Sequence, residues 1–203
     1  MLKKIFCIIP VLMLTACGIL SPVEQRPVVN YEINDATVVG GMTCSESAAR
    51  NVIFISPMQA DLPYNNTKMY YTQKANELDA FGYGQWISSP NQMLTQVITK
   101  KIFKSCIYKG VVTSDALADA NYRLVSKLIT LRQHVAADGN SAEVSLVIYV
   151  ELIDLERNQM VNSNIFIEKE ASQPGTQAFA DSANRLMVKF DNDLVSWLKQ
   201  NSH

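Results

Sequence analysis

The second half of the chain carries two hydrophobic periods, one after the other. From Ala142 to Leu155, Val144, Leu146, Ile148, Val150 and Leu152 alternate with Glu143, Ser145, Tyr149 and Glu151, which predicts a strand with one buried face. Asn121–His134 and Met160–Glu170 read as strands on either side of it. Asp138-Gly139-Asn140 supplies hairpin chemistry and Glu156-Arg157-Asn158-Gln159 the next turn, so the three predict an antiparallel meander. After Pro174-Gly175 the period changes. Phe179, Ala183, Leu186, Met187, Phe190, Leu194, Trp197 and Leu198 recur at spacings of three and four, the stripe of an amphipathic helix over 176–199.

The first half is less regular. Val28–Ile33 reads as a short strand and 34–49, with Gly40-Gly41, as a loop. Asn51–Ser56 is a continuous apolar run stopped by Pro57, as in a strand buried on both faces. Residues 57–89 are loop-rich, with one or two short strands. Ser89-Pro90-Asn91-Gln92 combines an N-cap serine, a proline at the first helical position and a glutamine at the third, so a helix begins there in a capping box. It runs to about Ser105 with Leu94, Val97, Ile98, Ile102 and Cys106 on one face, and Ile107–Thr113 returns as a strand that ends at Ser114-Asp115. The order predicts an α+β fold: a mixed, mostly antiparallel sheet with two amphipathic helices on one face. Strand 51–56, the helix and strand 107–113 form a right-handed crossover with one parallel pair.

The N-terminus adds a different kind of signal. Lys3-Lys4, the apolar run Ile5–Leu14 and then Leu14-Thr15-Ala16-Cys17 make a bacterial lipoprotein signal, with small residues admitting the backbone to a peptidase ahead of the lipidated cysteine. The apolar run, interrupted by Pro10, is too short for a membrane span of about 20 residues. The chain therefore divides into a signal at 1–16, a lipidated tether at 17–27 rich in Pro and polar residues, and one domain at 28–203. Several acyl chains on one cysteine anchor a protein permanently, so the body need not seek the membrane itself. Gly18, where Asp favours inner-membrane retention, points to the periplasmic face of the outer membrane of a Gram-negative bacterium.

Charge and cysteines narrow the reading further. Loss of Lys3 and Lys4 takes the basic count from 18 to 16 against 19 acidic residues, a mature net charge of −3 that argues against nucleic acid and offers no polybasic patch. Cys7 leaves with the signal and Cys17 takes lipid. Cys44 and Cys106 remain as the pair available for a disulfide, the alternative being Cys106 as a small apolar residue on the helix and Cys44 free in a loop.

Catalytic chemistry is thin. The histidines are His134, at a strand end, and the terminal His203, and no nucleophile elbow, phosphate loop, dinucleotide fingerprint or metal-ligand spacing occurs. Asp191 and Asp193 lie two apart on the last helix and point to different sides; Glu168 and Glu170 share a strand face expected to meet solvent. The chain reads as a non-enzyme without a cofactor. Its most distinctive stretch runs from Tyr64 to Trp86, where Tyr70, Tyr71, Phe81, Tyr83 and Trp86 crowd loop-rich sequence beside glycines. Such rings serve partner contacts, giving large area with few torsions, or cover a sheet edge as a satellite core; Trp86, just ahead of a capped helix, leans to the core.

Several of these stretches together resemble a known family. The lipobox, Asn76-Glu77-Leu78 through Tyr83, Trp86 and Ser88-Ser89-Pro90, Ala120-Asn121-Tyr122-Arg123-Leu124, Val150-Glu151-Leu152-Ile153-Asp154 and the closing Trp197-Leu198 resemble the ABC-type transport auxiliary lipoproteins, which include the paraquat-inducible protein C type. The likeness spans roughly 28–200. It implies a non-catalytic partner of an ABC transporter and an MCE-domain protein in intermembrane lipid transport, docking at the outer-membrane end; a homo-oligomeric ring around that partner is the hypothesis this docking role motivates. Asn121, where the family more often has Asp, and the pair Cys44 and Cys106 depart from the pattern. Two other classes fit the same residues: a carrier holding lipid in an apolar groove between helix and sheet, and an envelope-integrity or assembly lipoprotein with a fold like the amino-terminal domain of the translocation protein TolB.

Overall fold

A computed structural model describes residues 27–38, 50–114 and 120–202. The lipobox with Cys17, most of the tether, Cys44, Asp115 and His203 lie outside the described residues. In chain order the elements are β1 (Val29–Tyr31), a single 3-10 turn at Ala36–Val38, β2 (Val52–Ile55), β3 (Gln59–Ala60), β4 (Lys68–Thr72), β5 (Asp79–Trp86), α1 (Pro90–Ser105), β6 (Gly110–Val112), β7 (Tyr122–Val135), β8 (Ala142–Asp154), β9 (Gln159–Ser172) and α2 (Thr176–Asn201). One mixed sheet holds all nine described strands, and the α+β class read from the periodicities is the observed one.

β7 organises that sheet. Its 14 residues pair along one edge with β8 in antiparallel register from Tyr122↔Asp154 to Val135↔Ala142. Along the other edge it takes three short strands in turn, all parallel: β2 at Tyr122–Leu124, β3 at Lys127–Leu128 and β4 at Gln133–His134. β8 pairs antiparallel with β9, β5 pairs antiparallel with β4, and β1 runs parallel to β5. The expected parallel pair of β2 with β6 across α1 is present, Ile53 opposite Val111. It is not alone, because the loop-rich 57–89 stretch supplies β3, β4 and an eight-residue β5 rather than one or two short strands. Polar and glycine-rich sequence masks these strands, whose pairing comes from the length of β7 and not from their own pattern.

The core lies between the sheet and both helices. Val144, Leu146, Ile148, Val150 and Leu152 of β8 are buried, as the alternation requires, and Phe179, Leu186, Met187, Phe190, Leu194 and Leu198 of α2 close over them. Phe190 meets Phe166 of β9 edge to face at 5.2 Å, and Trp86 of β5 meets Phe179 at 5.4 Å. Glu168 and Glu170 do not face solvent as expected. They lie under α2, where Lys189 pairs with Glu168 and Arg185 with Glu170, since the inner face of β9 extends past the apolar stripe to the helix's basic flank.

Helix entry and spacing are fixed by a few local devices. α1 begins at Pro90, yet Ser89 forms no side-chain cap; its extended backbone (φ −61°, ψ 138°) is the conformation a residue before proline adopts, and its carbonyl accepts from Gln92 and Met93. The Gln92 side chain bonds Ser88 instead, so the expected capping box is replaced by a neighbour. Cys106 ends α1 in the left-handed region and is disulfide-bonded. Gln133, fully buried on β7, donates to Ser172 Oγ and the Gln173 carbonyl and accepts from the Gly175 amide, which pins the turn leading into α2. Asn121 accepts the Val52 amide at 2.8 Å and donates to Glu156 at 2.7 Å, a donation that a carboxylate cannot make.

Gly84 sets the distance between β5 and α2. A Cβ there would stand 2.5 Å from Thr176 Cγ2 and 2.7 Å from its Cβ, and Thr176 is itself held by the Tyr31 hydroxyl at 3.0 Å. Gly84→Ala should therefore cost about 1–3 kcal/mol in urea unfolding, whereas Gly82→Ala, with nothing within 4 Å, should stay within about 0.5 kcal/mol. The same measurement should separate adjacent residues of unlike burial: Trp86→Ala, at 1% exposure, costs about 3–5 kcal/mol, and Ile87→Ala, at 65%, under about 1 kcal/mol.

Candidate partner-contact surface

The aromatic stretch divides between core and surface. Trp86 and Tyr70 are buried, which removes them from the expected contact set; Trp86 packs on Phe179, and Tyr70 meets Tyr64 edge to face at 6.0 Å. Tyr71 and Phe81 are half-buried, their ring centroids 4.6 Å apart, with Phe81 reaching towards Phe179. Tyr83 is 58% exposed and Ile87 beside β1 is 65% exposed. The segment is thus mostly a satellite core between β4, β5 and α2, and its exposed remainder is Tyr83. Simple alternation does not separate these rings, since Phe81 and Trp86 both meet Phe179 across an odd spacing; the β4–β5 register shifts between Lys68 and Tyr70, an irregularity that sequence pattern does not reveal.

A second surface was not singled out from the sequence. The helices cover one face of the sheet, and on the other face Val147 lies opposite Ile167 and Tyr149 opposite Ile165. Ile165 and Ile167 are 51% and 61% exposed; Met160 and Val161 at the start of β9 are likewise exposed. Charged pairs flank this apolar strip, Lys169 with Glu143 at 2.9 Å and Lys127 with Asp61 at 2.6 Å. Apolar residues on a sheet face that no helix covers suit contact with another macromolecule. The signal was present in the sequence as Ile165, Ile167 and Val161, one face of the strand opposite to buried Phe166.

The largest shifts in acidity belong to buried groups. Burial pushes Tyr108, whose hydroxyl meets Ser202, up to about 12, and raises Tyr64 as well. Asp191 on α2 is fully buried and pushed up to about 8, first by burial and then by the charge of Asp35 and a hydrogen bond with it. Burial also acts to raise Asp35, but hydrogen bonds from Thr37 and Lys101 outweigh it and hold this carboxyl below the ordinary value. Beside the pair, a groove of about 480 Å³ runs between residues 32–36 and α1, with Glu32, Asn34, Gln96 and Lys100 among its lining. Ile33, Met93 and Val97 line it as well, so its walls are mixed. His134 is exposed on β7 opposite Glu143. Among the described residues no three His, Cys, Asp or Glu side chains converge to hold a metal, and no helix is long and apolar enough to cross a membrane.

Similar proteins carry this arrangement towards a family. A crystal structure of a Xanthomonas campestris protein of the DUF330 family, 15% identical, covers 86% of this chain and 94% of its own with a TM-score of 0.68. A second crystal structure, of an uncharacterized protein 12% identical, covers 85% and 99% with a TM-score of 0.63. Both share the fold. A dodecameric PelC from Paraburkholderia phytofirmans, 16% identical over 76% of this chain and 93% of its own, is more distant at a TM-score of 0.44. No curated protein matches the chain. The model of one family matches residues 35–194, nearly the whole domain from the 3-10 turn to the last turns of α2. The chain belongs to the family of ABC-type transport auxiliary lipoprotein components.

Proposed function

We propose that this protein is a non-catalytic auxiliary component of an ABC/MCE-type intermembrane lipid-transport system, anchored through lipidated Cys17 to the periplasmic face of the outer membrane. The family match over 35–194 carries the reading. Leu14-Thr15-Ala16-Cys17 and Gly18 support the anchor and its membrane. Tyr83, Ile87 and the apolar strip of Ile165 and Ile167 support a docking role, since they give exposed apolar area on a rigid sheet. The partner is the MCE-domain protein of the transporter complex, contacted by several copies of the chain in a ring. Cys106 pairs with Cys44, a loop closure worth roughly 4 kcal/mol in the chain-entropy model.

Three measurements check these points. Cys17→Ser should leave the protein soluble in the periplasm or with its signal uncleaved, and unchanged acylation and membrane fractionation would remove the anchor. A photoreactive residue at Tyr83 in the native envelope should capture an MCE-domain protein; capture of lipid alone would favour the carrier reading. Mass photometry should show a multimer with the partner present, and monomer under both conditions would exclude the ring.

A further inference from the structure

Two carboxyl groups and one ammonium group meet where the segment leaving β1 crosses both helices. Asp35 is buried, and its Oδ1 accepts the Thr37 amide at 2.7 Å and the Thr37 hydroxyl at 2.6 Å while Oδ2 accepts Lys101 Nζ of α1 at 3.1 Å. Asp191 of α2 is fully buried against it. Neither Asp191 oxygen receives a hydrogen bond from a donor group of the protein. With both carboxyls ionised, this buried site would hold two negative charges against one lysine, which burial strongly disfavours. A proton on Asp191 removes the conflict, because the acid then donates to Asp35 and one negative charge faces one positive.

The groups that act on Asp191 are Asp35 from the segment after β1 and Lys101 from α1; β9 beneath α2 also carries Glu168 and Glu170, which pair with Lys189 and Arg185. The same segment has further ties that carry no titrating acid. The Asn34 amide donates to Asn184 Oδ1 at 3.0 Å, Asn184 Nδ2 donates to the Glu32 carbonyl at 3.3 Å, and Lys104 donates to the Thr37 carbonyl at 2.6 Å. Among the described bonds that fasten residues 32–37 across α1 and α2, the carboxyl pair is the element built on two buried acids.

We propose that Asp35, Asp191 and Lys101 form a proton-held latch, closed while one proton is shared between the two buried carboxyls and opened when it is lost, that controls attachment of the N-terminal arm, residues 29–37, to the helices. In the closed form Asp191 keeps its proton to about pH 8, and in an opened form it titrates as an ordinary carboxyl near 4. The closed form therefore binds the extra proton between these values. Opening becomes up to tenfold easier with each pH unit across that window and levels off above it. Asp35, held below its ordinary value, changes charge only beneath this window.

Hydrogen exchange on the full chain, corrected for the intrinsic pH dependence of exchange, tests the latch. Protection of the Ile33, Asn34 and Thr37 amides should fall with pH between 5 and 8, up to tenfold per unit, while Ile148 in β8 keeps its protection. Asp191→Asn, whose amide donates to Asp35 without titrating, should flatten the profile and leave the arm protected at pH 8. A flat profile in the wild type, a slope that survives in Asp191→Asn, or loss of protection in parallel at Ile148 would each overturn the proposal. Carbon-13 titration of the wild-type Asp191 carboxyl gives an independent reading: a midpoint near 8 supports the latch, and one near 4 removes it.

Discussion

Every backbone group of a long central strand needs a partner, and β7 meets that demand differently on its two edges. One edge is satisfied by a single strand, β8, over its whole length. The other takes β2, β3 and β4 end to end. A buried edge left open at any of these steps would strand amides and carbonyls away from water, each costing about as much as a lost hydrogen bond. The irregular first half of the chain is therefore held in place by the regular second half. Short segments of two to five residues, which would not form strands alone, are ordered because β7 offers them a template.

Once the sheet is laid down, burial of its inner face decides the rest. α2 closes over β8 and β9 with Phe179, Leu186, Phe190 and Leu194, and Gly84 lets the helix start come close enough to β5 for Trp86 to reach Phe179. Both helices are used on this side, so the opposite face keeps its apolar residues half in water. That asymmetry leaves a preformed surface with exposed apolar residues, Ile165 and Ile167 among them. The N-terminal arm crosses the helices on the covered side, where its buried carboxyls convert a packing contact into one that responds to protons.

The Asp35–Asp191 pair also shows what a buried charge does in a fold of this size. An apolar pair at the same sites would pack without a desolvation penalty, whereas the acids are tolerated only as a protonated, lysine-matched group.

Much of the architecture was legible because it is written in local period. Alternation in Ala142–Leu155, the three-and-four stripe from Phe179 to Leu198, and Pro90 at a helix start each report one element and its buried face. Periodicity says which face is buried but not against what. That Trp86 and Tyr70 are core while Tyr83 is surface, that Glu168 lies beneath Lys189, and that three short strands share one edge of β7 were decided only in three dimensions. Asp35 and Asp191 make the point most sharply: 156 positions apart in the chain, they carry no mark of each other in the sequence, and it is the crossing of the arm over α2 that excludes water and makes two ordinary aspartates share a proton.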